Sequence, residues 1–312
     1  MTTSTQPAWR SLYPFESHWL ELDDGARLHY LDEGPPTKSS AATETLLCVH
    51  GNPTWSFYWR RIVTAFRQEC RVIAPDHIGC GLSDKPQDYP YTLDRHIDNL
   101  LALIERLDLR DITLLAHDWG GAIGLGAATR QPQRFARIVL FNTGAFPPPF
   151  IPFRIRLCRV PVLGTLAVRK LNAFAKAAPW MATARPENFT AEVKQGFLAP
   201  YDSWANRVAI NAFVKDIPAH DGHPNWKLLE KIERDLRLLD DKPAMFIWGM
   251  QDWCFTPMCL DRLLESLPAA EVHRLEDASH YVVEDAHELI GPLLEQFLAN
   301  QPCSAQPREH MQ

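Results

Sequence analysis

The sequence predicts an α/β protein: a mostly parallel, eight-stranded sheet flanked by helices, with a helical cap inserted into it. Three observations carry this reading. Eight segments of strand length occur along the 312 residues, and from Thr45 onward they alternate with helical patterns, as happens when helices cover both faces of a parallel sheet. Between Phe146 and about Trp226 strand character disappears, and helical pieces are broken by Pro152, Pro161, Pro179, Pro186 and Pro200. The stretch Ile112-Thr-Leu-Leu-Ala-His-Asp118-Trp119-Gly120-Gly121-Ala-Ile-Gly124 reads as a buried strand turning at once into a helix of small residues.

In chain order, residues 1–17 read as an irregular lead. His18 to Leu22 and Arg27 to Glu33 read as strands joined by an Asp23-Asp24-Gly25 hairpin turn. Pro35 to Thr43, rich in Pro, Ser and Ala, is expected as a loop, and Thr45 to Val49 as a buried strand running into His50-Gly51-Asn52-Pro53. A helix is expected over Tyr58 to Gln68, a strand over Arg71 to Ala74, and a glycine-punctuated loop over Pro75 to Asp84. Leu93 to Leu109 carries Ile97, Leu100, Leu101, Ile104 and Leu107 on one helical face, with Thr92 as N-cap. A strand over Arg137 to Phe141 ends at Asn142; strands return at Ala244 to Trp248 and Glu271 to Leu275. A last helix is expected over Glu284 to Ala299, with a loose tail from Gln301. The domain division is therefore a core of residues 1–144 and 227–312 and a cap of 145–226.

Composition narrows the function. A formal charge of −6 argues against a general nucleic-acid binder, and no stretch approaches the ~20 apolar residues of a membrane span. The start, Met1 to Trp9, lacks a basic-then-apolar signal pattern, so a cytoplasmic protein is expected. The seven cysteines show no metal-type spacing, Cys254 and Cys259 standing too far apart for C-x-x-C; reduced thiols, no metal and no cofactor are expected. Between Trp119 and Pro186 stand ten Lys or Arg and no acid. Such a stretch is a solvated basic face, or a docking surface for an acidic partner or an anionic lipid-like substrate. The apolar residues interspersed from Phe150 to Phe174 suit ordinary packing or the wall of an apolar pocket.

The chemistry centres on Asp118. A strand, a reactive residue, then glycines opening a helix is the layout of the nucleophile elbow of α/β-hydrolase folds, normally G-x-S-x-G. Here the tip is an aspartate and the first glycine is Ala116. A carboxylate needs no proton removed before attack, and suits displacement at carbon or opening of a strained ring through a covalent ester. The competing reading is an aspartate that only caps the helix. In a parallel sheet, ligands bind outside the C-terminal strand ends, and Asn52, Asp118, Asn142, Asp252 and His280 each follow such an end. His280 is the expected general base and Asp252 the acid that orients it, with Asp277 and Asp285 as weaker candidates. Asn142 stands where an acid could also serve but cannot ionise; His117 points away from the nucleophile by strand alternation. Both are expected to support the site by hydrogen bonding. The backbone N–H groups of Asn52 and Trp119 would form an oxyanion hole, and their side-chain N–H groups suit a halide or a carboxylate where they point inward.

Together, His50-Gly51-Asn52-Pro53, Asp118-Trp119-Gly120-Gly121, Trp248-Gly-Met-Gln-Asp252 and Ala278-Ser-His280 resemble the haloalkane dehalogenases, and the acid after the late strand resembles their third subfamily. Pro75 to Pro86, Trp248 to Pro257, His280 to Ala286, and Ala199-Pro-Tyr-Asp-Ser-Trp204 are more specifically similar to the β-lactone decarboxylases of bacterial long-chain olefin synthesis. That resemblance implies conversion of a cis-3-alkyl-4-alkyloxetan-2-one to a cis-olefin and carbon dioxide. It also implies a hydrophobic long-chain substrate and assembly with other enzymes of the pathway. Asp118 would open the lactone at the ring carbon bearing oxygen or at the carbonyl, and water assisted by His280 and Asp252 would or would not take part. The rival is a haloalkane dehalogenase, in which His280 activates hydrolytic water. An epoxide hydrolase would want two cap tyrosines, and Tyr201 is the only tyrosine between Tyr91 and Tyr281. A fluoroacetate-type enzyme would want arginine where Trp119 stands. A non-enzymatic binding module would leave the Asp118, His280 and Asp252 set without a purpose.

Overall fold

In the computed structural model, residues 7–35 and 44–302 are described. Eight strands form one sheet: β1 (His18–Glu21), β2 (Arg27–Glu33), β3 (Thr45–Val49), β4 (Arg71–Pro75), β5 (Ile112–Asp118), β6 (Phe135–Thr143), β7 (Ala244–Gly249) and β8 (Glu271–Leu275). Their spatial order is β1-β2-β4-β3-β5-β6-β7-β8. The β1–β2 and β2–β4 pairs are antiparallel, and every other pair is parallel.

The sheet separates two cores, and strand alternation decides which residue serves which. Leu47, Val49, Leu114, Ala116, Leu140 and Phe246 pack into one cluster. Their neighbours Leu46, Cys48, Leu115, Val139, Phe141 and Met245 pack into the other. Strands buried on both faces must be apolar at consecutive positions, which explains the unbroken runs of β3, β5 and β7. Helices α1 (Arg60–Phe66), α2 (Leu93–Arg106) and α3 (Trp119–Arg130) follow β3, β4 and β5. Thr92 caps α2, its side chain accepting from the Arg95 N–H at 3.3 Å.

Between β6 and β7 lie only helical elements. These are α4 (Phe153–Cys158), α5 (Leu163–Thr165) continued by a π turn at Leu166–Lys170, α6 (Ala173–Met181), α7 (Ala191–Leu198), α8 (Val208–Asp216) and α9 (Pro224–Asp235). The sheet is completed by α10 (Pro257–Ser266), α11 (Val282–Asp285) and α12 (His287–Asn300).

Several expected boundaries move. The N-terminal lead is packed in part: Ala8–Leu12 forms a 3-10 turn, and Trp9 and Tyr13 are buried against Trp55 and Phe57. The helix expected from Tyr58 begins as a 3-10 turn at Ser56–Trp59 and ends at Phe66. The final helix breaks at Ala286, whose backbone leaves helical geometry. The expected boundary between residues 226 and 227 falls within α9, because Pro224 starts that helix at its first position. Most of the expected Pro35–Thr43 loop and of the tail from Gln301 lies outside the described residues.

One buried ion pair joins the two ends of the core. The Arg60 guanidinium at the start of α1 makes a two-pronged contact with Glu284 of α11, with Nη2 2.9 Å from Oε2, while its face lies over the Phe57 ring. Removing one partner strands a buried charge, which costs about 3–5 kcal/mol. Glu284→Ala is therefore expected to lower the urea midpoint strongly, whereas breaking an exposed ion pair such as Arg110 with Asp108 should cost less than about 1 kcal/mol and leave the midpoint nearly unchanged.

Candidate active site

Asp118 ends β5 with φ 54° and ψ −127°, a sparsely populated geometry for a non-glycine residue. The following glycines make that turn feasible. A Cβ on Gly120 would lie 2.1 Å from the Val49 carbonyl oxygen, and one on Gly121 would lie 1.8 Å from Thr143 Oγ1. Helix α3 can thus start directly against β3 and β6, and the Asp118 side chain is set above the strand ends.

The carboxylate is held asymmetrically. Its Oδ1 accepts the Asn52 backbone N–H at 2.7 Å, and the Trp119 backbone N–H also donates to the carboxylate. Its Oδ2 lies 3.6 Å from His280 Nε2. Burial raises the Asp118 pKa above the usual aspartate value, opposed by the His280 charge and the two backbone donors.

His280 Nδ1 lies 2.9 Å from Asp252 Oδ2. The same Oδ2 accepts from Asn142 Nδ2 at 3.0 Å, and Oδ1 accepts the Cys254 N–H at 2.6 Å. Asn142 in turn accepts the Gly249 N–H at 2.7 Å, so an amide on β6 fixes the acid that follows β7. Burial pulls the His280 pKa down, but the charge and hydrogen bond of Asp252 and the charge of Asp118 outweigh it, leaving it raised. The result is an imidazole between two carboxylates, suited to carry positive charge and to face whatever leaves or attacks at Asp118.

His117 lies behind the site as its alternation requires. Its Nε2 lies 2.8 Å from the His280 carbonyl oxygen, and its ring stacks on Tyr58 at 4.5 Å. Burial lowers its pKa well below the usual imidazole value, so it stays neutral and fixes the His280 loop. Asp252 does not cap the Pro257 helix; Thr256 takes that position. Asp285 serves the backbone of Ser279, Ala184 and Arg185, and Asp277 is exposed, so neither reaches His280. Tyr201 is buried with its hydroxyl on the Thr54 carbonyl at 3.1 Å.

The Asn52 side chain is partly committed elsewhere, its amide donating to the Ile210 carbonyl at 3.3 Å. The Trp119 ring packs against Phe213, 5.3 Å between centroids. Sequence reasoning did not find Phe255, whose ring stacks over His280 at 5.8 Å and 13°. Its only signal was position, three residues beyond Asp252.

These groups form the floor of a cavity of about 370 Å³. Asn52, Asp118, Trp119 and His280 line it below, and Phe146, Ile155, Phe174 and Met181 are among the apolar residues of its walls. The arrangement is a carboxylate beside an imidazole whose charged form its neighbours favour, 3.6 Å apart on the floor of an apolar chamber. It can attack an electrophilic carbon and stabilise the anion expelled.

Comparison with known proteins places the chain in a family. A family model described as alpha/beta hydrolase fold matches residues 44–286. The chain is 41% identical to the cis-3-alkyl-4-alkyloxetan-2-one decarboxylase of Shewanella oneidensis, covering 92% of this chain and 90% of that protein. It is 40% identical to the protein of that name from Xanthomonas campestris pv. campestris, covering 93% and 98%. Haloalkane dehalogenase 2 of Mycobacterium tuberculosis is 33% identical, covering 92% and 96%. The crystal structure of haloalkane dehalogenase DatA from Agrobacterium tumefaciens superposes with a TM-score of 0.80 at 25% identity, covering 91% and 96%. The chain belongs to the alpha/beta hydrolase fold family, among relatives named as oxetan-2-one decarboxylases and haloalkane dehalogenases.

Proposed function

We propose that this protein is a cis-3-alkyl-4-alkyloxetan-2-one decarboxylase, which converts a β-lactone with two alkyl arms to a cis-olefin and carbon dioxide and so completes an olefin synthesis. The observation that carries this is the Asp118 carboxylate beneath an apolar chamber, its Oδ2 3.6 Å from His280 and with Asp252 behind that imidazole. Greater identity to decarboxylases than to dehalogenases supports the same reading.

Asp118 Oδ2 attacks the ring carbon bearing oxygen, on the face opposite that oxygen. The carbon–oxygen bond of the ring breaks and its electron pair goes to the lactone carboxylate. Asp118 is then an ester, and the new carboxylate stands anti to it on the adjacent carbon. Loss of carbon dioxide forms the double bond and returns the ester electron pair to Asp118. Inversion followed by anti elimination leaves both alkyl arms on one side, so a cis-lactone yields a cis-olefin. Neither water nor a proton is consumed. Asp252 favours the charged form of His280, and that charge stabilises the carboxylate expelled in each step. Trp119 and Asn52 supply N–H groups to the same negative charge. Residues 145–226 act as a cap that provides the apolar walls. Free cysteines among the described residues support a reducing, cytoplasmic setting.

A dehalogenase would use the same groups differently, with neutral His280 activating water against an Asp118 ester. The pH profiles should separate the two. Halide release from a haloalkane is expected to rise with pH through a His280 pKa displaced above the ordinary imidazole value, because the base must be neutral. Lactone consumption should need no neutral imidazole. Its kcat/KM is expected to fall on the acid side, where Asp118 takes up a proton at a higher pH than an ordinary aspartate does, and to fall again on the alkaline side as His280 loses its charge, the opposite of the dehalogenase profile.

Incubation with a long-chain cis-β-lactone and, separately, with 1-bromohexane tests the assignment. Olefin formation outpacing halide release supports it. Halide release without olefin would make the protein a dehalogenase, and a β-hydroxy acid in place of olefin would make it a simple lactone hydrolase.

A further inference from the structure

We propose that the face around the cavity mouth docks on a bilayer surface bearing anionic phospholipid headgroups. Phe153, Leu163, Leu171 and Trp180 are each between 64% and 70% exposed, although they lie on successive elements, α4 to α6, that pack on one another. Soluble proteins rarely expose so many large apolar side chains together without a partner for them. Phe150 and Leu157 are exposed as well and also line the cavity, so this patch is continuous with its mouth.

The charges carried by these segments have one sign. From Pro152 to Pro186 the chain contains no acid. Four of its seven cations have internal partners: Arg159 donates to the carbonyls of Val214 and Ile217, Arg169 donates to that of Trp204, Arg185 pairs with Glu288, and Arg154 lies over the Trp253 ring. Arg156, Lys170 and Lys176 are exposed and form none of the ion pairs found among the described residues. Large apolar side chains with interspersed cations and no anions suit the interface of an anionic membrane. A protein partner fits less well, because lysine is depleted at protein interfaces. No helix among the described residues is long and apolar enough to cross a membrane, so the contact would be peripheral. A ligand dissolved in the bilayer could then reach the mouth without crossing water.

The test is flotation of the full chain with vesicles of phosphatidylcholine alone and of phosphatidylcholine with phosphatidylglycerol. It is read without substrate and so is independent of the reaction run at Asp118. Binding is expected to the mixed vesicles, weaker to phosphatidylcholine alone, and reduced by high salt. Two variants outside the cavity lining, Leu163→Asp with Leu171→Asp, and Arg156→Gln with Lys170→Gln and Lys176→Gln, should each bind at least about tenfold less. Both should retain turnover of a short-chain β-lactone and the wild-type circular dichroism spectrum. If the apolar variant fails to fold, the charge variant alone decides. Absence of flotation, equal flotation by folded variants, or a stable complex with an acidic protein in place of vesicle binding would each overturn the proposal.

Discussion

Asp118→Ala is expected to fold and to lose turnover of both β-lactone and haloalkane by roughly a factor of 10⁴–10⁶, the scale seen when a covalent nucleophile is deleted. Nothing else is placed to replace it. The other nearby carboxylate, Asp252, is occupied by His280, Asn142 and Cys254, and faces the far side of the imidazole. Stability should not fall in proportion. The native carboxylate is buried and its pKa is raised, so its charge is accommodated at a cost that alanine does not bear. The left-handed backbone at φ 54° is unfavourable for alanine too, which offsets part of that gain. Steady-state assays of olefin and halide, with thermal unfolding as control, check this. Turnover within tenfold of wild type would remove the carboxylate from the chemistry.

His280→Ala should divide the two reactions. With 1-bromohexane, the Asp118 ester forms and halide leaves once, but no base activates water; turnover is expected to fall by about 10²–10⁴. Intact-mass measurement should show the protein heavier by one hexyl group. With β-lactone the ester carries its own carboxylate and collapses without water. The loss there should be confined to the missing positive charge, of order 10², with no accumulated adduct. His280 reaches Asp118 Oδ2 at 3.6 Å and is fixed by Asp252 and by the His117 contact to its carbonyl, so its removal withdraws a positioned group. A variant that turned over bromohexane without an adduct would refute the role of His280 as base. Equal losses on both substrates would refute the water-free collapse of the lactone ester.

The sequence is most informative where local chemistry and fold coincide. Asp118-Trp119-Gly120-Gly121 is legible because one helix starts hard against two strands: a Cβ on Gly120 would enter β3 and one on Gly121 would enter β6. Asn52 and Asp252 are legible because each follows an apolar run that must be a buried strand, whereas His280 follows the mixed, partly exposed Glu271–Leu275 strand and is legible from its place after the last strand of the series. The rest depends on which strands become neighbours. Asn142 can hold Asp252 only because β6 and β7 pair in parallel, an order that no local pattern states. The Ile210 carbonyl that takes the Asn52 amide comes from α8, more than a hundred residues away. The lead looked irregular because Trp9, Tyr13 and Phe15 follow neither helical nor strand spacing, yet they pack as aromatics on Trp55 and Phe57. The cap was legible as helical but not as short helices with a π turn, since prolines break the pattern without fixing what replaces it.

The most direct test of attack by Asp118 without water is turnover of β-lactone in water enriched in heavy oxygen, followed by mass analysis of the peptide containing Asp118. The carboxylate should leave as it arrived, so the peptide mass is expected to stay unchanged after many lactone turnovers, while turnover of a haloalkane labels it. Label on Asp118 after lactone turnover would contradict the mechanism and place a hydrolysed ester in its path.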